Sequence, residues 1–282
     1  MGRLWSLLFL LVPILGVGVF VAAASTNSWP LYDHWFPEDI SEHGVVIDQL
    51  FYSIMWLTGL IFVGTGWFLF WFMWKYDAAR NTAPVKYMHG SHTLEVVWSI
   101  LPAATLLFIA FYQMNAWADA KVLRPLLSIG ADRMAGTADD IQQPPLAEVR
   151  GRQFEWRVQY AGEDGQLGTP DDIRTVNDLH VPEGEEVVLR ITSEDVLHSF
   201  FLPNVRLKND MIPGMRQYVW FKAKKVGQYD IVCAELCGWG HYKMKGRLTV
   251  EKPAQFRQWL AAKKAEQNWP NSPADLEVES DE

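Results

Sequence analysis

The sequence predicts a membrane-anchored α + β protein. A transmembrane helical hairpin, preceded by a signal peptide or one additional helix, leads into a β-sandwich or barrel outside the membrane. Three observations predict this. Long uncharged apolar stretches fill the first 118 residues, while the charges lie mostly after position 119. From Glu148 onward apolar and polar residues alternate with a period of two. Gly and Pro turns separate the alternating runs at sandwich-like spacing.

The first uncharged stretch, Leu4 to Tyr32, is strongly apolar to Ala24 and follows Arg3. A short positive start and Ala22-Ala23-Ala24 fit a signal peptide, yet the apolar run is long enough to be a retained helix, so segment 1–24 stays open between the two. Leu50 to Trp74 and Val96 to Ala118 are uncharged and long enough to cross a bilayer core as helices, and they place a hairpin at 48–118. Trp56, Trp67, Trp71 and Trp74 leave the first of these no polar face, which argues against a buried core helix. Lys75, Arg80 and Lys86 between the two helices are opposed only by Asp77, and the loop from Asp33 to Asp48 carries no Lys or Arg. Positive loops face the cytoplasm, so everything after Asp119 lies outside.

Segment 119–145 is a linker. It holds Gly130–Ile141, whose pattern G-x-D-x-x-x-G-T-x-D-D-I returns at Gly162–Ile173. Clustered carboxylates beside glycines suit calcium, through Asp132, Asp139, Asp140, Asp164, Asp171 and Asp172, or form solvated turns. The β domain, 146–252, contains Phe154, Trp156, Val158 and Tyr160 in strict alternation, then Val187, Leu189 and Ile191. Further strands are expected at Gln217–Lys222, Gln228–Cys233 and Gly246–Val250. Within 253–282, Ala254–Lys264 reads as a short amphipathic helix and the remainder as an acidic tail. A net charge of −8 without a basic patch excludes nucleic-acid binding, and two cysteines exclude a disulfide framework.

The chemistry concentrates in Cys233-Ala-Glu-Leu-Cys237-Gly-Trp-Gly-His241-Tyr-Lys-Met244, with His198 upstream. Thiolate, imidazole and thioether form a soft donor set that suits copper, whereas structural zinc sites do not use thioether. A C-x3-C spacing lets both sulfurs point into one site from one loop.

That run closely resembles the dinuclear copper motif of subunit II of haem–copper cytochrome c oxidases. So do His92-Thr-Leu-Glu95-Val-Val-Trp98-Ser-Ile-Leu-Pro102, Asn177–Pro182, Ser193–Phe200 and Leu207–Gly214, in the family's order over about 48–250. The resemblance implies a cupredoxin-like Greek-key sandwich on the periplasmic side of the inner membrane. It implies that Cys233 and Cys237 bridge two copper ions, that His198 and His241 each cap one, and that Met244 and the Glu235 carbonyl are weak axial ligands. The Glu235 carboxylate would reach Mg²⁺ or Mn²⁺ shared with subunit I. Glu95 would stand at the mouth of a proton channel, or act as a helix N-terminal acid. The family's electron-entry Trp is replaced by Phe154, ahead of Trp156. That change favours a dedicated c-type cytochrome donor, in an attached complex, over a freely diffusing one, with Glu155, Glu163 and Asp164 attracting a basic partner. The implied activity is that of the electron-entry subunit of a proton-translocating oxidase. Its partners would be subunit I, with haem and a further copper, and other oxidase subunits. A copper subunit of a nitric oxide reductase and a non-enzymatic metal-binding membrane module are the alternatives.

Overall fold

The computed structural model describes residues 2–25, 36–77, 81–84, 87, 89–129 and 140–267. They form two compact units, residues 1–37 with 48–114, and residues 38–47 with 115–282.

Three helices, α1 (Gly2–Ser25), α2 (Gly44–Lys75) and α3 (His92–Lys121), are each long and apolar enough to cross a membrane. α2 and α3 extend past the uncharged stretches by a turn or so, carrying polar ends such as Asp48 and Glu95. Their most apolar windows contain no buried residue, the pattern of helices whose apolar sides face acyl chains. α1 differs. Ser6, Leu10, Pro13, Val17, Phe20, Ala22 and Ala23 are its less exposed positions, and the first five run at alternating four- and three-residue spacing along one stripe of the helix. Ser91 starts α3, its Oγ accepting the Leu94 N–H at 3.4 Å, and Glu95 occupies the first turn.

The second unit is a sandwich of two five-stranded sheets. The first has the order β10 (Gln217–Lys222), β7 (Glu186–Ser193), β3 (Ala147–Arg152), β4 (Glu155–Tyr160), β5 (Ile173–Val176). The second has the order β6 (Asp178–Pro182), β12 (Lys245–Glu251), β11 (Gly227–Cys233), β8 (His198–Leu202), β9 (Leu207–Met211). Pairing is antiparallel except β3 with β7 and β6 with β12. A small ribbon of β1 (Leu126–Ser128) and β2 (Ile141–Gln142) precedes them. The alternation read from sequence is the reason for the core. Val149, Trp156, Val158, Leu189 and Ile191 face inward from one sheet, and Leu179, Phe200, Ile231 and Leu248 from the other.

Two other segments close the unit. Ile40 is fully buried, with its N–H on the Asn204 carbonyl (2.9 Å) and its carbonyl accepting from Lys224 (2.7 Å). Helix α4 (Pro253–Gln267) lays Phe256 and Trp259 on the sandwich, where Trp259 meets Tyr160 edge-on at 5.4 Å and stacks flat on His180 at 3.8 Å.

Candidate metal centre

β8 and β11 are neighbours, and Phe200 pairs with Cys233. His198 lies two residues before Phe200, so its side chain leaves the sheet on the same face as Cys233. The remaining donors come from the loop joining β11 to β12. That loop is closed at its base by the Cys233 N–H on the Met244 carbonyl (3.3 Å). Inside it His241–Lys243 makes a single 3-10 turn, with the His241 N–H on the Gly238 carbonyl at 3.1 Å.

Five of the donors expected from sequence are thereby brought together. Cys233 Sγ is 3.8 Å from Cys237 Sγ and 4.0 Å from His198 Nδ1. Cys237 Sγ is 3.7 Å from His241 Nδ1 and 3.8 Å from Met244 Sδ. The Glu235 carbonyl, 3.2 Å from Cys233 Sγ, joins them. Both thiols are free, and the ligand atoms of His198, Cys233 and Cys237 all lie within 4.8 Å of one another. Two sulfurs flanked by two imidazoles, a thioether and a carbonyl are a convergent soft donor set, which fits copper.

The two thiols differ. Burial opposes ionisation of Cys233, but the His198 imidazole and the backbone N–H of Ser199 outweigh it and bring the thiol down to about 6. Burial and the neighbouring Cys233 push Cys237 up to about 12. One thiolate is thus in place near neutral pH, and the second needs a bound cation to lose its proton.

Residues around the donors fix their positions. Asp195, which the sequence reading passed over, accepts from His198 Nε2 at 2.8 Å and also receives the Gln153 N–H at 2.8 Å. Its legible signal was the three-residue spacing before His198. Gln153 Nε2 donates to the Cys237 carbonyl at 2.5 Å. Gly151 lies against the imidazole of His198, where a Cβ would come within 3.0 Å of Cδ2. Gly240 similarly rests on the Phe154 ring, with 2.4 Å from a built Cβ to Cδ2.

The other expected site residues fall as follows. Phe154 is half-buried beneath the Gly238–Gly240 backbone. Trp156 has no exposed surface and packs edge-on against Phe200 at 5.5 Å, with His198 at 6.2 Å. Contact with an electron donor therefore does not fall to Trp156, because the sandwich core encloses it. Glu95 is about half-exposed, with His92 Nδ1 4.0 Å from its carboxylate. Of the acidic trio, Glu155 pairs with Arg157 at 2.9 Å and Glu163 with Lys264 at 2.6 Å. Asp164 accepts the Gln166 N–H at 2.8 Å.

In the second Asp-rich loop the carboxylates turn onto their own backbone. Asp172 is buried, accepts the N–H groups of Gly168 (2.6 Å) and Thr169 (3.2 Å), and is bonded by Gln159 Nε2. Asp171 accepts the Thr169 hydroxyl at 2.7 Å. These are Asx-type turns that need no ion to account for them. Asp140 lies at the edge of the first loop, whose Asp132 and Asp139 are outside the described residues, as are Arg80, Lys86 and the acidic tail.

A soft-donor cluster at one end of a cupredoxin-like sandwich, in a chain whose helices are long and apolar enough to cross a membrane, defines a membrane-anchored cupredoxin-like protein. Two family models match. The transmembrane domain of cytochrome c oxidase subunit II matches residues 28–116 and its periplasmic domain residues 150–250, together well over half of the chain. Similar proteins include the alternative cytochrome c oxidase subunit 2 of Bradyrhizobium diazoefficiens, 28% identical over 257 residues, covering 83% of this chain and 86% of that one. Cytochrome c oxidase subunit 2 of Thermostichus vulcanus is 28% identical over 283 residues, covering 87% and 83%. The crystal structure of the periplasmic domain of subunit II of the Bradyrhizobium japonicum oxidase is 27% identical, with a TM-score of 0.38 over 42% of this chain and 92% of that one. The chain belongs to the cytochrome c oxidase subunit II family, and it is a membrane protein with a periplasmic domain.

Proposed function

We propose that this chain is the electron-entry subunit of an inner-membrane terminal oxidase, in which a c-type cytochrome is the donor and haem in subunit I the acceptor, with O₂ reduced to water there. The observation that carries the reading is the convergence of Cys233, Cys237, His198, His241 and Met244 at one end of the sandwich. Cys233, Cys237, His198, His241, Met244 and the Glu235 carbonyl would together hold two copper ions. Copper held there would supply a one-electron redox site.

The chain's own residues do the rest. Asp195 and Gln153 hold His198 and the Cys237 backbone in place, so the donors need little rearrangement. Trp156, itself packed on Phe200, lies against His198, whose ring has no exposed surface. The Glu235 carboxylate is assigned to Mg²⁺ or Mn²⁺ at the boundary with subunit I, and Glu95 to proton entry on the cytoplasmic side. The test is substitution in the full-length chain within its complex. Cys233→Ser should abolish copper absorption, because a hydroxyl is a poor soft ligand. Glu95→Ala should keep that absorption and slow turnover. Wild-type absorption in the Cys233→Ser protein would refute the ligand set, and unchanged turnover in Glu95→Ala would return Glu95 to a helix-terminal acid.

A further inference from the structure

The loop that gathers the soft donors also carries the largest exposed apolar side chains of the second unit's metal end. Leu236 is 76% exposed, Trp239 80% and Tyr242 74%, three residues apart on the segment between Cys233 and Met244. An indole left in water on an ordered loop is unusual, and exposed apolar patches of this kind mark interaction sites. Trp is also among the residues that dominate protein interfaces energetically.

The position is specific. Trp239 is separated from Cys237 only by Gly238, and Cys237 itself is buried. The Phe154 ring packs against the backbone of Gly238 and Gly240, on either side of Trp239. The aromatic that reaches solvent beside the donor cluster is therefore on the ligand loop, not on the β3–β4 turn that holds Phe154.

The charge around it indicates the occupant. Lys243 Nζ lies 5.0 Å from the centroid of the Trp239 ring. Among the described residues neither Lys243 nor Lys245 has a carboxylate partner. The carboxylates of Glu155 and Glu163 are already neutralised by Arg157 and Lys264. The apolar cap thus has one cation without a carboxylate partner, Lys243, against its central ring, while Glu235 on the same loop is half-buried. Screening over about 8 Å in physiological salt makes this local pattern, not the net charge of −8, decide which partner docks.

We propose that Trp239 is the central contact of the donor-docking surface, flanked by Leu236 and Tyr242, and that the donor is a c-type cytochrome with acidic residues around its haem edge. This rests on the electron-entry reading above. The test uses the purified oxidase complex and two soluble c-type cytochromes, one of net negative and one of net positive charge. Dissociation constants and KM values are measured at low and high salt, with copper absorption recorded for every variant. The wild type should bind the acidic cytochrome more tightly, and salt should weaken that binding. Trp239→Ala should raise Kd and KM for it roughly tenfold, with kcat moving less and copper absorption retained. Lys243→Glu should shift preference toward the basic cytochrome. Unchanged Kd and KM in Trp239→Ala, or tighter wild-type binding of the basic cytochrome, would overturn the docking surface alone. A wild type without copper absorption would instead overturn the reading on which it rests.

Discussion

Asp195 Oδ1 lies 2.8 Å from His198 Nε2, while the other ring nitrogen, Nδ1, faces Cys233 Sγ at 4.0 Å. Burial alone would lift the Asp195 carboxyl, but the backbone N–H of Gln153 and the imidazole keep it below its ordinary 3.8 and therefore ionised. An ionised carboxylate only accepts, so Nε2 carries a hydrogen, and a metal that displaces the proton Nδ1 shares with Cys233 would find the Nδ1 lone pair. Asp195→Ala should then leave all five side-chain donors in place and still weaken copper binding about 10- to 100-fold. Competition with a copper chelator measures it, and an unchanged affinity would mean that packing alone sets the tautomer.

Gly151 supports the same imidazole from behind. A Cβ there meets His198 Cγ at 3.1 Å, and Trp156, paired with Gly151 on the neighbouring strand, packs against the same ring. Gly151→Ala should destabilise the metal-free chain by about 1–3 kcal/mol and lower copper retention without removing a donor. Thermal unfolding and metal analysis of the same sample would separate the two effects.

How far the sequence was legible follows from such contacts. Strands β4, β7, β10, β11 and β12 were readable because each has one face in the core and alternates. β8 was not, because His198-Ser-Phe-Phe-Leu carries an almost fully buried strand with no polar alternation. The metal donors were readable because four of them share one loop. Asp195, Gln153 and Gly151 were not, since their roles depend on β3, the turn after β7 and the β11–β12 loop meeting in space. Phe154 and Trp156 took the electron-entry role from the family resemblance, and a pattern of residue types does not show that the core encloses Trp156.

Glu148 provides a pH-dependent stability test away from the metal. It is nearly fully buried and bridges Arg190 (2.7 Å) and Arg150 (2.9 Å). Burial raises its pKa, but the two guanidiniums outweigh burial and hold it below the ordinary 4.5. A depressed folded-state pKa means that this contribution is fully present above 4.5 and is lost as pH falls through the lower folded value. Glu148→Gln should flatten that acid limb in thermal melts between neutral pH and pH ~3. At neutral pH its cost should lie at the lower end of the about 3–5 kcal/mol for breaking a buried pair, because both arginines retain some solvent. An acid limb as steep as the wild type's would contradict the assignment.

His180 and Trp259 hold α4 to the sandwich. Their rings stack 3.8 Å apart at 7°, and the Tyr160 hydroxyl donates to the His180 carbonyl at 3.0 Å beneath them. Trp259→Ala should cost less than the about 3–5 kcal/mol of a fully buried Trp, and the loss should be local. Hydrogen exchange should rise along Pro253–Gln267 and stay unchanged in β11 and β12. Uniform loss of protection would show that α4 is integral to the sandwich fold.

The central claim is that Cys233 and Cys237 together hold two copper ions in one site. Metal analysis and electron paramagnetic resonance of the same copper-loaded, detergent-solubilised full-length protein test it most directly. An unpaired electron shared equally by two copper nuclei gives seven hyperfine lines, and one confined to a single nucleus gives four. The account predicts two copper ions per chain with the seven-line pattern. One copper with four lines, or zinc retained in preference to copper, would contradict it.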